Sequence, residues 1–276
     1  MITEREQVPE AVTMPDRTTS GRASRFLRNY GPALLLIVVA IGLWELLIRV
    51  LDVPQYLWPA PSVVARAVGS NAHLILSATG VTVREIIFGF LISVAAGLAI
   101  GSALHFSKTV RRAVYPILIA SQSVPTPVFA AILAIVLGFG IGPKLAVIGL
   151  FCFFPIVVNT VDGLSNVDPD YIRMMRTLHA SRKDIFRKVE FPSALPLIFS
   201  GCRIAASYAA IGAVFGEWTG SDSGLGYEIT QAQPQLNTPL VFALVMVLTI
   251  LALLLFGLVS LVERYTIPWA KRREQT

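Results

Sequence analysis

The sequence predicts an all-α, polytopic membrane protein with six transmembrane helices, and three observations carry that prediction. Apolar residues make up 54% of the 276-residue chain and charged residues only 14%. The mean hydropathy is +0.67, far from soluble averages. Six apolar stretches, roughly Ala33 to Leu51, Glu85 to Leu104, Ala113 to Phe139, Leu145 to Val161, Leu197 to Phe215 and Leu240 to Val262, each approach the ~20 residues that a spanning helix needs. An even number of crossings puts both termini on one side.

The division of the chain follows from these spans: a tail over 1–30, a transmembrane domain over 31–265 interrupted by an insert at 166–196, and a short tail over 266–276. The first tail is polar, contains Pro9 and Pro15, and has no signal-peptide apolar region before Ala33, so it reads as disordered. In the first span Glu45 stands one turn before Arg49, an i,i+4 ion pair. The second span repeats Gly89, Ser93, Gly97 and Gly101, and the fifth repeats Gly201, Ala205, Ala209 and Ala213. Stripes of small residues four apart let neighbouring backbones approach closely, so these are packing faces.

The third span contains Ser121-Gln122-Ser123-Val124-Pro125-Thr126-Pro127. Two prolines and a run of polar side chains free backbone groups that must find partners in protein or water. The segment reads as a bent helix lining a cavity; a plain kink whose hydroxyls bond back to their own helix is the alternative. Asn159 in the fourth span adds a polar group of the same kind, and Glu217 and Trp218 close the fifth span beside the Gly-rich, polar Thr219 to Tyr227 stretch, which reads as flexible. Ser121, Gln122, Ser123, Pro125, Asn159, Glu217 and Trp218 are the candidate translocation-pathway residues.

Orientation follows from the basic residues, since Lys and Arg in short connections stay on the cytoplasmic side. The first tail, the second-to-third connection, the insert and the region after the last span hold eighteen of the 23. The Gly216 to Thr238 connection, on the opposite side, holds none. Both termini are therefore expected in the cytoplasm, in the cell (inner or plasma) membrane. The same charges explain the sequence pI near 9.6 through anionic lipid head groups rather than nucleic acid, which is not expected as a partner.

The insert itself, NVDPDYIRMMRTLHASRKDIFRKVEFPSALP, predicts two short helices. Asp168 is an N-cap with Pro169 at the first helical position, and this helix should run to about Leu178. Ser181 with Asp184 three residues on forms a capping box for the second, which Pro192 should stop. Met174, Met175 and Leu178 supply an apolar face flanked by Arg173 and Arg176. Such a segment on a membrane protein offers a dock for a cytoplasmic partner, with an interfacial lipid-bound pair of helices as the alternative.

Soluble chemistry finds no support. Gly138-Phe139-Gly140-Ile141-Gly142-Pro143-Lys144-Leu145 lacks the ending of a nucleotide-binding loop. Cys152 and Cys202 are the only cysteines and His73, His105 and His179 the only histidines, without metal-ligand spacing, so no cofactor or metal is expected. A membrane-bound enzyme lacks a nucleophile, base and metal cluster. A self-sufficient secondary transporter or channel would need an intramembrane ion site that the sequence does not offer.

The insert resembles the cytoplasmic signature of binding-protein-dependent ABC importer permeases: Glu-Ala-Ala, three residues, Gly, nine residues, then Ile-x-Leu-Pro. The triplet falls on Arg173-Met174-Met175, the glycine on His179, and the ending on Val189-Glu190-Phe191-Pro192. The chain departs from the pattern at the charged residue and the glycine and keeps the spacing and terminal proline. Trp58-Pro59-Ala60-Pro61-Ser62, Gly138-Phe139-Gly140, Phe154 through Thr160, and Asp162-Gly163 are similar to the branch of sulfonate, taurine, nitrate, thiamine-pyrimidine and riboflavin importers. The resemblance implies the type I ABC importer permease fold with cytoplasmic coupling helices. It further implies a permease homodimer, two ATPase subunits docked through Arg173, Met174, Met175, Arg176, Leu178 and His179, and an extracytoplasmic solute-binding protein. Gly216-Glu217-Trp218 with Gly224 to Tyr227, and Glu263 through Trp269, look most like permeases for vitamins or their precursors, riboflavin or a thiamine pyrimidine. Sulfonate, taurine or nitrate is the second reading.

Overall fold

The computed structural model describes residues 21–122 and 125–269, with side chains from residue 31 onward. Every regular element among them is helical. The chain divides into two compact units, one to Asp52 and one from Val53 onward.

The first unit holds α1 (Gly21–Val50), so helical backbone begins ten residues before the expected end of the polar tail; the rest of that tail lies outside the described residues. Within α1, Arg49 Nε donates to Glu45 at 2.7 Å, the i,i+4 pair that the sequence predicts.

The second unit contains α2 (Pro61–Ser70), α3 (Ala72–Phe106), α4 (Lys108–Ser121), α5 (Thr126–Leu137), α6 (Ile141–Ser165), α7 (Pro169–Thr177), α8 (Arg182–Ile185), a π-helical turn (Phe186–Glu190), α9 (Phe191–Trp218), α10 (Leu225–Ala232) and α11 (Thr238–Thr266). Among the described residues, five helical stretches are long and apolar enough to cross a membrane: Gly31–Val50, α3, α6, Arg182–Trp218 and α11. The expected third span is instead a pair, α4 and α5, bent by 97° at its break. That break falls on the Ser-Gln-Ser-Val-Pro-Thr-Pro stretch, where Pro125 is the N-cap of α5 and Pro127 lies in its first turn.

Helix α6 is the centre of this unit, packed between α3 and α9, with α11 against α9. The small-residue stripes set both contacts. A Cβ on Gly89, Gly97 or Gly101 of α3 would lie 2.6–2.7 Å from Ile148, Ile156 or Thr160 of α6, closer than any side chain tolerates. Each pair keeps the separation of 59 residues that also joins Glu85 to Lys144, so the two helices run parallel in fixed register. On the other face, Gly201, Gly212 and Gly216 of α9 meet Asn159, Ile148 and Lys144 in reverse order, an antiparallel contact. Gly201, Ala205, Ala209 and Ala213 are all buried. Cys152 and Cys202 belong to the same apolar core, which agrees with a packing role.

Two expectations are corrected. Pro192 does not stop the second insert helix: Phe191 N–H donates to Phe186 O across the π turn, and the widened i→i+5 spacing carries the chain past the proline, which has no N–H of its own, into α9. The stretch after Trp218 is also more ordered than its glycines imply, because Leu225, Gly226, Ile229 and Ala232 bury one face of α10 against α9 and α11.

Candidate functional site

The insert begins where Asp168 accepts a hydrogen bond from Asp170 N–H at 2.9 Å with Pro169 in the first turn. Its first helix ends at Thr177 in a Schellman arrangement: Ala180 N–H reaches Met175 O and His179 N–H reaches Arg176 O, both at 3.0 Å. The C′ position of that motif is left-handed, and His179 holds φ 55° there. This explains why the resemblance aligns a glycine at that position. Histidine takes the conformation at a cost of about 1–2 kcal/mol.

The two faces of α7 differ. Tyr171, Met174 and Leu178 are 45%, 55% and 68% exposed and lie at i, i+3 and i+7, one continuous apolar stripe. Arg173 and Arg176 are exposed on the other side of the helix, and Arg173 pairs with Asp170. Met175, at the edge of the stripe on the side of Ile172, is like Ile172 half-buried, because that side of the helix turns toward the protein. Tyr171 takes the place on the exposed face that the sequence reading gave to Met175. The second helix has the expected capping box, with Asp184 N–H donating to Ser181 Oγ at 3.2 Å and Ser181 Oγ donating to the Asp184 carboxylate at 2.5 Å.

A polar joint fastens this insert to α3. Glu190, in the π turn, is 2% exposed. Its Oε2 lies 3.1 Å from His105 Nε2 at the end of α3, and its Oε1 accepts from Arg182 of α8. The Arg182 guanidinium also lies 3.2 Å from His105 Nε2 and 5.5 Å above the Phe106 ring. Phe106, Phe186 and Phe191 pack beside it as a row of tilted rings.

The opposite end of the same helices carries a second buried network. Glu217 is 1% exposed. Its carboxylate accepts from Thr82 Oγ1 at 2.6 Å and from the N–H groups of Gly226 and Tyr227 at 2.5 and 3.2 Å, and Leu225 N–H donates to Thr82 Oγ1 at 2.9 Å. Glu217 therefore caps the start of α10 from a buried position: two of its three bonds satisfy orphan N–H groups of that helix, and the third, from the Thr82 hydroxyl, ties it to α3. Gly224, with φ 118°, has no room for a Cβ, which would fall 2.3 Å from the Glu217 carboxyl. One turn away Lys144 Nζ donates to Glu85 at 2.7 Å, both side chains buried.

The remaining pathway candidates are dispersed. Ser121, Gln122 and Pro125 are exposed at the α4–α5 break, with Ser121 Oγ bonded back to Leu118 O. Ser123 lies outside the described residues. Asn159 is half-buried against Gly201, its amide donating to Pro155 O at 2.8 Å, so it serves the α6–α9 contact. Trp218 is 47% exposed and meets Phe215 edge-on, and Phe215 in turn stacks on Phe151. Nearby, Ala131, Ala134, Ile135, Gly138, Phe139 and Thr219 line an open apolar depression. Among the described residues no cluster of His, Cys, Asp and Glu has the arrangement of a metal site.

Comparison with known proteins supplies the context. The family described as binding-protein-dependent transport system inner membrane component matches residues 74–267. The chain is 35% identical to the formylaminopyrimidine transport permease protein ThiX of Halalkalibacterium halodurans, over 88% of this chain and 96% of that one. It is 31% identical to the riboflavin transport system permease protein RibX of Chloroflexus aurantiacus, over 93% and 98%. It is 30% identical to the putative aliphatic sulfonates transport permease protein SsuC of Bacillus subtilis, over 90% and 91%. Among solved structures, the inward-facing MetNI methionine ABC transporter has a similar fold, with a TM-score of 0.56 at 21% identity over 70% of this chain and 94% of that one.

Proposed function

The chain belongs to the binding-protein-dependent transport system inner membrane component family and is the permease component of an ABC importer, and we propose that it forms, as a homodimer, the path by which a vitamin or vitamin precursor enters the cell. In this reading it crosses the membrane six times, the α4–α5 pair counting as one broken span, with both termini and the insert in the cytoplasm. ATP is hydrolysed by two separate subunits docked on the insert, and substrate arrives from an extracytoplasmic solute-binding protein.

The observation that carries the docking role is the exposed apolar stripe Tyr171, Met174 and Leu178, on a short helix that also exposes Arg173 and Arg176 and whose left-handed terminus stands at the signature's glycine. Its apolar residues would enter a groove of the ATPase, with the arginines, and His179 at the turn, on the rim. Ser121, Gln122, Ser123 and Pro125 would border the path at the helix break, where irregular backbone is tolerated only in contact with protein or water. Trp218 would stand at its outer rim. Asn159 would reach the path only if α6 and α9 separate there. A formylaminopyrimidine or riboflavin is supported by the relatives at 35% and 31% identity, respectively; the relative at 30% favours an aliphatic sulfonate as the second reading.

The test is uptake into liposomes containing the permease, its ATPase subunits and its binding protein, with labelled formylaminopyrimidine, riboflavin and an alkanesulfonate offered in parallel. Accumulation of one of the first two, abolished by omitting the ATPase or ATP, is expected. Accumulation by the permease alone under an ion gradient would overturn the reading.

A further inference from the structure

We propose that His105, Arg182 and Glu190 form the joint through which displacement of the insert moves α3, so that these are positioning residues for transport rather than part of the ATPase dock. The inference rests on the permease reading above. Its basis is geometric. The stripe Tyr171, Met174 and Leu178 faces away from the protein, whereas Glu190 is buried at the other end of the insert, where His105 of α3 and Arg182 of α8 converge on its carboxylate.

The chemistry gives the joint two arrangements. His105 Nε2 lies 3.1 Å from Glu190 Oε2, an acceptor, and 3.2 Å from the Arg182 guanidinium, a donor. One imidazole nitrogen carries either a hydrogen or a lone pair in the plane of the ring. It therefore donates to Glu190 or accepts from Arg182, one at a time. In the first arrangement α3 is held by the π turn; in the second it is held by α8, and Glu190 pairs with Arg182 alone. The exchange is a change of tautomer, in which the proton leaves Nε2 and another is taken up at Nδ1 through the solvent that the 11% exposed His105 side chain reaches; a small movement of the insert selects between the two, and the buried carboxylate keeps Arg182 throughout, so the costly unpaired state is avoided. Between the joint and the opposite end, α3 is locked to α6 by the glycine contacts at 89, 97 and 101, so a push at His105 moves both helices together.

The complete transporter, with ATPase subunits and binding protein in liposomes, tests this with two readouts: ATP hydrolysis, and uptake of whichever labelled compound, formylaminopyrimidine, riboflavin or an alkanesulfonate, the wild type accumulates. For His105→Leu the expected result is co-purified ATPase and hydrolysis within about twofold of wild type but uptake reduced about tenfold or more, the scale of a lost coupling interaction. His105→Gln, whose amide both donates and accepts, should restore most of the uptake. Glu190→Gln, which keeps side-chain volume, should uncouple as His105→Leu does. The proposal is overturned if uptake in these variants is unchanged, or falls only in proportion to the ATPase recovered, or if the Gln and Leu variants at His105 behave alike. A wild-type complex without ATP-dependent uptake would remove the permease reading itself, a different outcome from any of these.

Discussion

The two ends of the α3–α6–α9 core are both closed by a buried glutamate, yet the two are built differently. At one end Glu217 accepts from a threonine hydroxyl and two backbone N–H groups, partners that the fold fixes in place. At the other, Glu190 is held by two long side chains, of which Arg182 is about half exposed, and the histidine between them has a choice of partner. The first arrangement is a fastening with one solution. The second is a joint, and it sits on the segment that presents an exposed apolar stripe. The difference teaches that burial of charge does not by itself mark a working site; what distinguishes the two is whether the partners can exchange.

Breaking the fixed end should have the largest effect. Glu217→Ala leaves the Thr82 hydroxyl and the N–H groups of Gly226 and Tyr227 without their acceptor in a buried place, and should cost about 3–5 kcal/mol. Thermal unfolding in detergent would register this as a marked loss of stability; a variant as stable as wild type would mean that Glu217 does not hold α10.

An intermediate effect, on association and not on stability, belongs to the stripe. Leu178→Ala removes an exposed side chain and should leave the permease folded, while ATPase co-purification falls by the equivalent of about 2 kcal/mol, as for an apolar anchor at an interface. Arg176→Ala should cost less than about 1 kcal/mol, as for an exposed charge. Equal or reversed losses would move the dock off the apolar stripe.

The smallest effect is expected at His179. Glycine there removes the left-handed penalty while adding freedom to the unfolded chain, for a net gain of about 0.5 kcal/mol. Slower amide exchange at Ala180 in His179→Gly would report it, and faster exchange would show that the histidine side chain is itself holding the turn.

The working end was the more legible in sequence, for a physical reason. Asp168, Pro169, Ser181 and Asp184 act on backbone groups two or three residues away, and the Ser121 to Pro127 stretch breaks its own helix. Local chemistry of this kind is written in adjacent letters. The stripe was one residue off, because Met175 is as apolar as Met174 and only its position around the helix turns it inward. The fixed end was hidden. Thr82 and Glu217 are 135 residues apart and Glu85 and Lys144 are 59 apart, so nothing short of the α3–α6 and α6–α9 registers brings them together. The glycine stripes made those contacts visible as packing faces without saying which helix would meet which. Glu190 and His105 were hidden for the same reason, 85 residues apart.

Hydrogen exchange on the complete transporter, with and without ATP, tests the contrast most directly. The account predicts that ATP changes the protection of amides from Tyr171 to Glu190, on the insert and its joint, while those of Leu225, Gly226 and Tyr227, held by Thr82 and Glu217, stay as they are. Unchanged protection along the insert together with a nucleotide-dependent opening at Leu225 to Tyr227 would contradict it, and would place the moving element at the end described here as fixed.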